Sequence, residues 1–441
     1  MKKVFLFFAF FGMMSCGFSE LDDTPDCKLI YDPYSVSMTD ALSIASSFIT
    51  DKGIAPQTRA EDLSVRTAFS INDKANEPLL HVVNYDGGGF VIVAGDTRLR
   101  PIQAYSPTGT FDDNQESYPL GLKIWLDCAE ASRDNAMVEN GEGLDDETQL
   151  AWMHFRSNGF DLNKRPTRSL DPFIDPPEEE VDTLVGPLIN DSWHQGSPYN
   201  DSLQVSSHYY YYSNNNQIDS IDVGQYRPVV GCVPLAIARV LRYVGKPYNY
   251  PWSSMPDDVP QTMATVSFVR DVHYAVKAYA QNHGYSFRYH GYPRYYLGNF
   301  VGYNLATGVS DYFPIGAFLC DQYGYPAAIT EPYTSGSNGV IRREIFDHHI
   351  PCILSGHSSS SSGHAWVCDG YHYHSLPMFG PDGEFMGALE NKYLHHRWGW
   401  ANQDNDGWFQ YYDYSPGQSD FHEGMKITHR ISEIDYWSFG L

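Results

Sequence analysis

One cysteine and one histidine in this 441-residue chain stand where chemistry is within reach. Cys232 opens the run Cys232-Val-Pro-Leu-Ala-Ile-Ala-Arg-Val-Leu-Arg-Tyr-Val244, entered through Gly231 and followed by Gly245 and Pro247. Pro234 falls in the first turn, where a missing N–H costs nothing, and the glycine and proline beyond Val244 stop the run. The spacing therefore predicts a helix with the sulfur at its positive end, where a thiolate is favoured over a thiol. A lone cysteine in that place otherwise reads as a small buried apolar residue. His364 lies in Gly363-His364-Ala-Trp-Val-Cys-Asp-Gly370, a β-like run that would fix one imidazole against the rest of the fold. A cysteine followed at long range by a histidine is the order of a thiol nucleophile and its general base.

The elements that must position this pair occupy residues 184–441, a stretch rich in Tyr, Gly and His. A second helix is predicted over Met263 to Gly284, and β-like runs over Pro351–Leu354 and Ala365–Cys368. Tyr209–Tyr212 reads as a packed aromatic run and Ser358–Ser362 as a loop. Residues 27–165 read as a separate mixed domain, with helices at Asp40 to Phe48 and Leu120 to Asn135. Its β runs His81–Tyr85 and Phe90–Ala94 flank the glycine turn Asp86-Gly-Gly-Gly89. Between the two domains, residues 166–183 carry Pro166, Pro172, Pro176 and Pro177 and the acidic run Glu178–Glu180, a composition expected of an exposed linker that a protease could cut.

At the start of the chain, Lys2-Lys3 precede an apolar run from Val4 to Met14 that stops at Ser15-Cys16. The run is too short to span a membrane, which takes about 20 residues, and its flanks have the order of an export signal. Met13-Met14-Ser15-Cys16 resembles a bacterial lipobox, and Glu20, Asp22 and Asp23 resemble the surface-export signal of Bacteroidetes lipoproteins. The expectation is a lipoprotein signal peptide over 1–15, a tether over 16–26 and a lipid anchor at Cys16 to a bacterial outer membrane or cell surface; plain cleavage without lipid is the alternative. A formal charge of −25, from 54 Asp and Glu against 29 Lys and Arg, repels phosphate backbones and sets nucleic acid aside as a partner. The seven cysteines show no paired spacing, so the sequence gives no disulfide connectivity.

Four blocks together resemble the streptopain family of papain-like cysteine peptidases: Trp193-His-Gln-Gly-Ser-Pro-Tyr-Asn200, Gly231-Cys232-Val, Gly363-His364-Ala through Asp369-Gly370-Tyr371, and Trp398-Gly399-Trp400 continuing to Asp406-Gly407-Trp408-Phe409. Ahead of them, Val82 through Thr97 and Pro101 through Ser106 look like the inhibitory prodomain of such enzymes, also found as the Spi-type inhibitor. The resemblance implies an α+β chain, a papain-like peptidase domain behind a smaller α+β inhibitory prodomain. It implies Cys232 as nucleophile and His364 as base, resting as thiolate and imidazolium. Gln195 would join the Cys232 N–H in an oxyanion hole, with Gln225 as the other candidate donor, and the Trp398 indole would wall the imidazole from water.

The chain departs from the pattern in several places. Arg397 stands where the family usually has the Asn that orients the imidazole. Arginine only donates, so Asp369 or a backbone carbonyl would have to take over, and a guanidinium charge near His364 would loosen the ion pair. Val230, Pro234 and Leu235 replace smaller residues beside the cysteine, and the aromatic stretch Tyr289 to Gly308 stands where a Gly/Ser-rich segment is usual. Asn402, Asp404, Asp406, Gly407 and Asp413 have the spacing of a calcium loop, but no helix pattern precedes them, and the first reading is the glycine turn after Trp-Gly-Trp. The pairs His348-His349, His372 with His374, and His395-His396 lack zinc-protease spacing and read as solvated surface. The expected function is a secreted cysteine endopeptidase made as a zymogen. Its partners would be protein or peptide substrates and its own prodomain, and it would need no cofactor. The alternative is a catalytically impaired surface lipoprotein that binds proteins through the retained groove.

Overall fold

Three strands of hydrophobic runs, Pro78–Tyr85, Phe90–Ala94 and Ile102–Ser106, are buried along nearly their whole length, and such strands need cover on both faces. The computed structural model shows what supplies it. It describes residues 33–52, 64–115, 118–139, 146–156, 180–205, 208–212, 218–222, 227–259, 261–296, 299–334, 336–357, 363–379, 385–400, 405–412 and 424–432. Helix α1 (Met38–Lys52), capped by the Ser37 hydroxyl accepting the Asp40 N–H at 3.1 Å, lays Ala41, Ile44, Ala45 and Phe48 on the meander β1 (Val65–Asn72), β2 (Pro78–Tyr85), β3 (Phe90–Ala94), β4 (Ile102–Ser106). Helices α2 (Leu120–Glu139) and α3 (Asp146–Arg156) follow; α3 was not anticipated from the sequence.

The next strand, β5 (Val181–Val185), reaches into the expected linker: residues 181–183, with Val181 and Asp182 still exposed, pair antiparallel with Tyr373–Ser375. The hairpin β6 (His208–Tyr212) and β7 (Ile218–Asp222) leads to α4 (Cys232–Val244), α5 (Met263–Asn282), and a second hairpin, β8 (Phe287–Tyr296) and β9 (Asn299–Val309), in place of the expected Gly/Ser-rich segment. These four strands make one small sheet in the order β7-β6-β8-β9. After α6 (Ile315–Tyr323) come β10 (Ile329–Pro332), β11 (Cys352–Gly356), β12 (His364–Phe379), β13 (Phe385–Arg397), β14 (Gly407–Gln410) and β15 (Lys426–His429). No helix among the described residues is long and apolar enough to cross a membrane.

The amino-terminal meander and the carboxy-terminal strands form one sheet, β1-β2-β3-β4-β14-β13-β12-β11-β15-β10, with β5 added to β12. The seam is the pairing of Tyr105 and Ala104 on β4 with Trp408 and Phe409 on β14, and Tyr34–Leu441 behaves as one unit rather than two. Period-two alternation on β11 and β12 then sorts the interior. Cys352, Leu354, Trp366 and Cys368 join the core shared with α1, α2 and β1–β4, whereas Ile353, Ala365 and Val367 join the core under α4, α5 and α6. The five described cysteines, 128, 232, 320, 352 and 368, are free thiols.

Candidate active site

The nucleophile's placement begins at Gly231. Its φ of 92° is left-handed, and a Cβ there would lie 3.0 Å from the Thr307 methyl, so only glycine leads the chain into α4 at this angle. The turn before it is tied on three sides. Val230 N–H donates to the Gln195 carbonyl at 2.9 Å, His273 Nδ1 donates to the Val230 carbonyl at 2.7 Å, and Thr307 Oγ1 donates to the Val229 carbonyl at 2.5 Å. The first of these brings the Trp193–Asn200 block against the cysteine loop by main chain, through the Gln195 carbonyl. Gln225 lies outside the described residues.

Cys232 keeps partial exposure at the first turn of α4. Burial of its surroundings nevertheless pushes the thiol's pKa up, against the pull of backbone N–H groups from Ala365, Val233 and its own peptide, while the nearby Asp311 carboxylate adds to the rise. The helix terminus alone does not win over desolvation. Desolvation works against the thiolate expected from sequence while the site stays covered.

The base is held from the other side. His364 is 6% exposed, and its Nε2 lies 3.0 Å from the carbonyl oxygen of Trp398. A carbonyl can only accept, so Nε2 carries the proton and Nδ1 presents a lone pair, the tautomer a general base needs. Burial brings the imidazole's pKa down to about 4, the Trp398 hydrogen bond opposing it. The aromatic ring that stacks on the imidazole is that of Trp366, at 6.1 Å between centroids and 14°, with the Trp398 indole a further 5.5 Å from Trp366. Trp398 thus serves His364 through its carbonyl, and the wall expected of it falls first to Trp366, which sequence reasoning passed over inside the Gly-His-Ala-Trp block. Thiol and imidazole are not hydrogen-bonded to each other: the sulfur takes the Ala365 N–H and the ring takes Trp398 O. The thiol meets the peptide that joins residues 364 and 365 and not the imidazole itself.

Arg397 does not bear on His364 as its position suggested. Its Nε donates to Asp369 Oδ2 at 2.9 Å, its Nη1 to the Asp191 carbonyl at 3.2 Å and its Nη2 to the Ile189 carbonyl. Asp369, fully buried, also binds His395 Nδ1 through Oδ1 at 2.6 Å and accepts the Ile189 N–H at 3.0 Å. Burial alone would push this carboxyl up, but His395 and Arg397 hold it well below the usual range. The guanidinium is therefore neutralised inside a buried pair, and its charge has no hold on the imidazole. Asp369, one of the two candidates for orienting His364, serves Arg397 and His395 instead. On α4, Arg239 repeats the theme, with its Nε 2.8 Å from Asp191 Oδ1.

The cavity at the cysteine, between Cys232, Leu235, Arg239, Ala365, Trp366 and Trp398, measures about 10 Å³, room for little more than one water. Ligand pockets ordinarily measure about 300–1,000 Å³, so this state does not admit a polypeptide. Helix α2 lies against the far side of the tryptophans: a Cβ on Gly121 would sit 2.6 Å from the Trp398 ring and 3.1 Å from Trp366. Trp125 donates its indole N–H to the Gln410 carbonyl at 3.1 Å, and Asp112 N–H donates to Asn405 Oδ1 at 3.0 Å.

One further expectation changes. His372, His374, His395 and His396 are buried, not solvated: His372 lies between Tyr105 Oη at 2.5 Å and Asp182 Oδ1 at 2.8 Å, and His374 Nε2 lies 2.9 Å from Glu180 Oε1. Glu180, Asp182 and His374 bring one ligand atom each within 4.8 Å of one another, but both imidazoles of this face are already spent on those carboxylates. In the calcium-like stretch, Asp406 Oδ1 accepts the Trp398 N–H at 2.9 Å; Asn402, Asp404 and Asp413 lie outside the described residues.

Residues 33–132 match the Spi protease inhibitor family and residues 193–409, which include Cys232 and His364, match the peptidase C10 family. The chain is 23% identical over 414 residues to the thiol protease/hemagglutinin PrtT of Porphyromonas gingivalis, an alignment taking in 85% of this chain and 38% of that protein. The chain thus spans well under half the length of that relative. A solved fragment of Prevotella intermedia prointerpain A is similar at a TM-score of 0.49 and 17% identity, over 82% of this chain and 98% of the fragment.

Proposed function

The chain belongs to the peptidase C10, or streptopain, family, a cysteine peptidase behind a Spi-type inhibitory domain, and on that footing we propose that it is an exported endopeptidase made as a zymogen, with Cys232 as nucleophile and His364 as general base. The observation that carries the reading is the Cys232 sulfur on the first turn of α4, taking a hydrogen bond from the peptide next to His364. On activation the imidazole Nδ1 takes the thiol proton, and the sulfur attacks the carbonyl carbon of the scissile peptide. The oxyanion lies against the Cys232 N–H and the Gln195 amide, a kind of donor whose loss costs about 2.7–4 kcal/mol of transition-state stabilisation. The imidazolium then protonates the leaving amine, and water, activated by the same imidazole, releases the acyl group and regenerates the thiol.

The closed state is inert for two physical reasons: burial works against the charged forms of thiol and imidazole, and the cavity excludes substrate. Cleavage within residues 166–180, ahead of β5, and departure of α2 from the Trp366 and Trp398 rings would return water to the pair, lowering the thiol's pKa and raising that of the imidazole. Lipid attachment at Cys16 completes the proposal and places the enzyme at an outer membrane or cell surface. The impaired-binder alternative rested on Arg397, and a guanidinium paired with Asp369 no longer argues for it.

The experiment is alkylation of the full chain with iodoacetamide at pH 7, before and after removal of residues 33–165. Selective labelling of Cys232 that quickens on removal is expected, together with loss of peptide hydrolysis in Cys232→Ala. A thiol inert in both states would end the reading.

A further inference from the structure

The residue following Arg397 carries the only acceptor that the described residues offer His364, so whatever fixes the Trp398 peptide also fixes the base. Four restraints converge there. Asp406 Oδ1 accepts the Trp398 N–H at 2.9 Å, and the Asn405 carbonyl accepts the Trp398 indole N–H at 2.9 Å. Gly399 leaves the peptide at a φ of 78°, a left-handed turn that a side chain would strain and that aims the carbonyl. The fourth restraint is Arg397, whose three donors span Asp369 on β12, the Ile189 carbonyl and the Asp191 carbonyl, so that the end of β13 is bound both to its neighbouring strand and to the segment leading into Trp193.

We propose that Arg397 and Asp406 are positioning residues of the peptidase reaction, fixing through the Trp398 peptide the carbonyl that selects the Nε2–H tautomer of His364 and holds its Nδ1 ready for the thiol proton. The proposal rests on the peptidase reading above and gives it its missing third member. An orienting side-chain amide can rotate or flip; a main-chain carbonyl cannot, provided its peptide is tethered. Arginine suits that task because its planar fork reaches three acceptors at once, which lysine cannot do. It needs a buried carboxylate to neutralise it, and Asp369 is that group. The departure at 397 is then a change of device and not a loss of function.

The test has two readouts. In the full chain carrying Cys232→Ala, side-chain nitrogen-15 NMR of His364 should show one Nε2–H tautomer. Arg397→Asn and Asp406→Ala should give a mixture, while Asp406→Asn, which keeps an oxygen for the Trp398 N–H, should preserve the single form. In the active background, after processing in trans, Arg397→Asn and Asp406→Ala should lower kcat about 100-fold, the size of effect expected from about 1 Å of misplacement. KM should change far less than kcat, because the effect runs through the Trp398 peptide, and Asp406→Asn should rescue. Should the single variants not fold, Arg397→Met with Asp369→Asn removes both charges of the pair and is expected to fold with the same tautomer mixture. An unchanged tautomer and kcat in folded Arg397→Asn, or a gain of activity on restoring asparagine, overturns the proposal. A wild-type chain without turnover but with the tautomer behaviour as described would instead overturn the peptidase reading and leave the positioning intact.

Discussion

Cys232 and His364, linked through the Ala365 N–H, belong to different interiors. The cysteine sits on the helical core of α4, α5 and α6, whose buried residues, Phe268 and Ile237 among them, come entirely from the peptidase segment. The histidine stacks on Trp366, and Trp366, Trp398 and Phe409 belong to a core completed by Leu122, Ile124, Trp125 and the strands of the inhibitory domain. The contrast implies that the inhibitory domain acts on the base side. Displacing it strips α2 from the rings around His364 and leaves the scaffold of the nucleophile whole.

The strongest way to break that contrast is a matched pair of truncations. Trp366→Ala and Phe268→Ala each remove a buried aromatic ring and should each cost about 3–5 kcal/mol. Only Trp366→Ala should also free α2, seen as faster hydrogen exchange of the Leu120–Glu139 amides and faster alkylation of Cys232 in the uncut chain. If Phe268→Ala frees α2 equally, the two interiors are one.

Acid offers a graded version. His364 and His396 on the sheet side and His273 on the helical side are buried without a carboxylate, and burial brings them down to about 4, about 3 and about 4. Their folded values lie below the unfolded one of about 6.5, so the unfolded chain binds more protons in the window between. Their contribution to stability is whole above pH 6.5 and is lost as pH falls toward 4. At about 1.4 kcal/mol per unit, His364 and His273 each account for about 3.5 kcal/mol and His396 for about 5 kcal/mol once fully protonated. Chemical denaturation at pH 7 and pH 4.5 should show the loss, and His396→Phe or His273→Phe should each flatten its own share. With two such imidazoles against one, the sheet side should open first, with exchange in α2 rising before exchange in α4.

How much of this was legible in the sequence follows from the range of each interaction. The helix at Cys232 could be read because Gly231, Pro234 and Gly245 punctuate it locally, and the β2–β3 hairpin because its glycines sit between two apolar runs. The histidines were misread for the opposite reason. His372 and His374 alternate along β12 to face one side, and Glu180, just ahead of β5, and Asp182 on it alternate to meet them, a complementarity visible only once the two strands are known to pair. Arg397 looked like a defect because Asp369 and the Ile189 carbonyl, its partners, are distant in sequence. Position 398 was marked by family likeness as an indole, and nothing in a one-dimensional pattern says that its carbonyl is the part in use.

The smallest expected effect lies at the seam between the two segments. Tyr105 of the inhibitory domain is buried, and burial pushes its pKa far above the usual phenol value, so it remains a neutral donor. Its hydroxyl therefore donates to His372 Nδ1, which leaves Nε2–H to donate to Asp182. Tyr105→Phe keeps the ring stacked on Trp408 at 6.2 Å and deletes only the hydroxyl, so urea denaturation should register a loss of about 1 kcal/mol. A loss beyond about 3 kcal/mol would exceed what one neutral hydrogen bond contributes. It would mean that a polar relay from Tyr105 through His372 to Asp182, and not the apolar core around Trp366, holds the inhibitory domain in place, and the division between a base side and a nucleophile side would then have to be redrawn along β5.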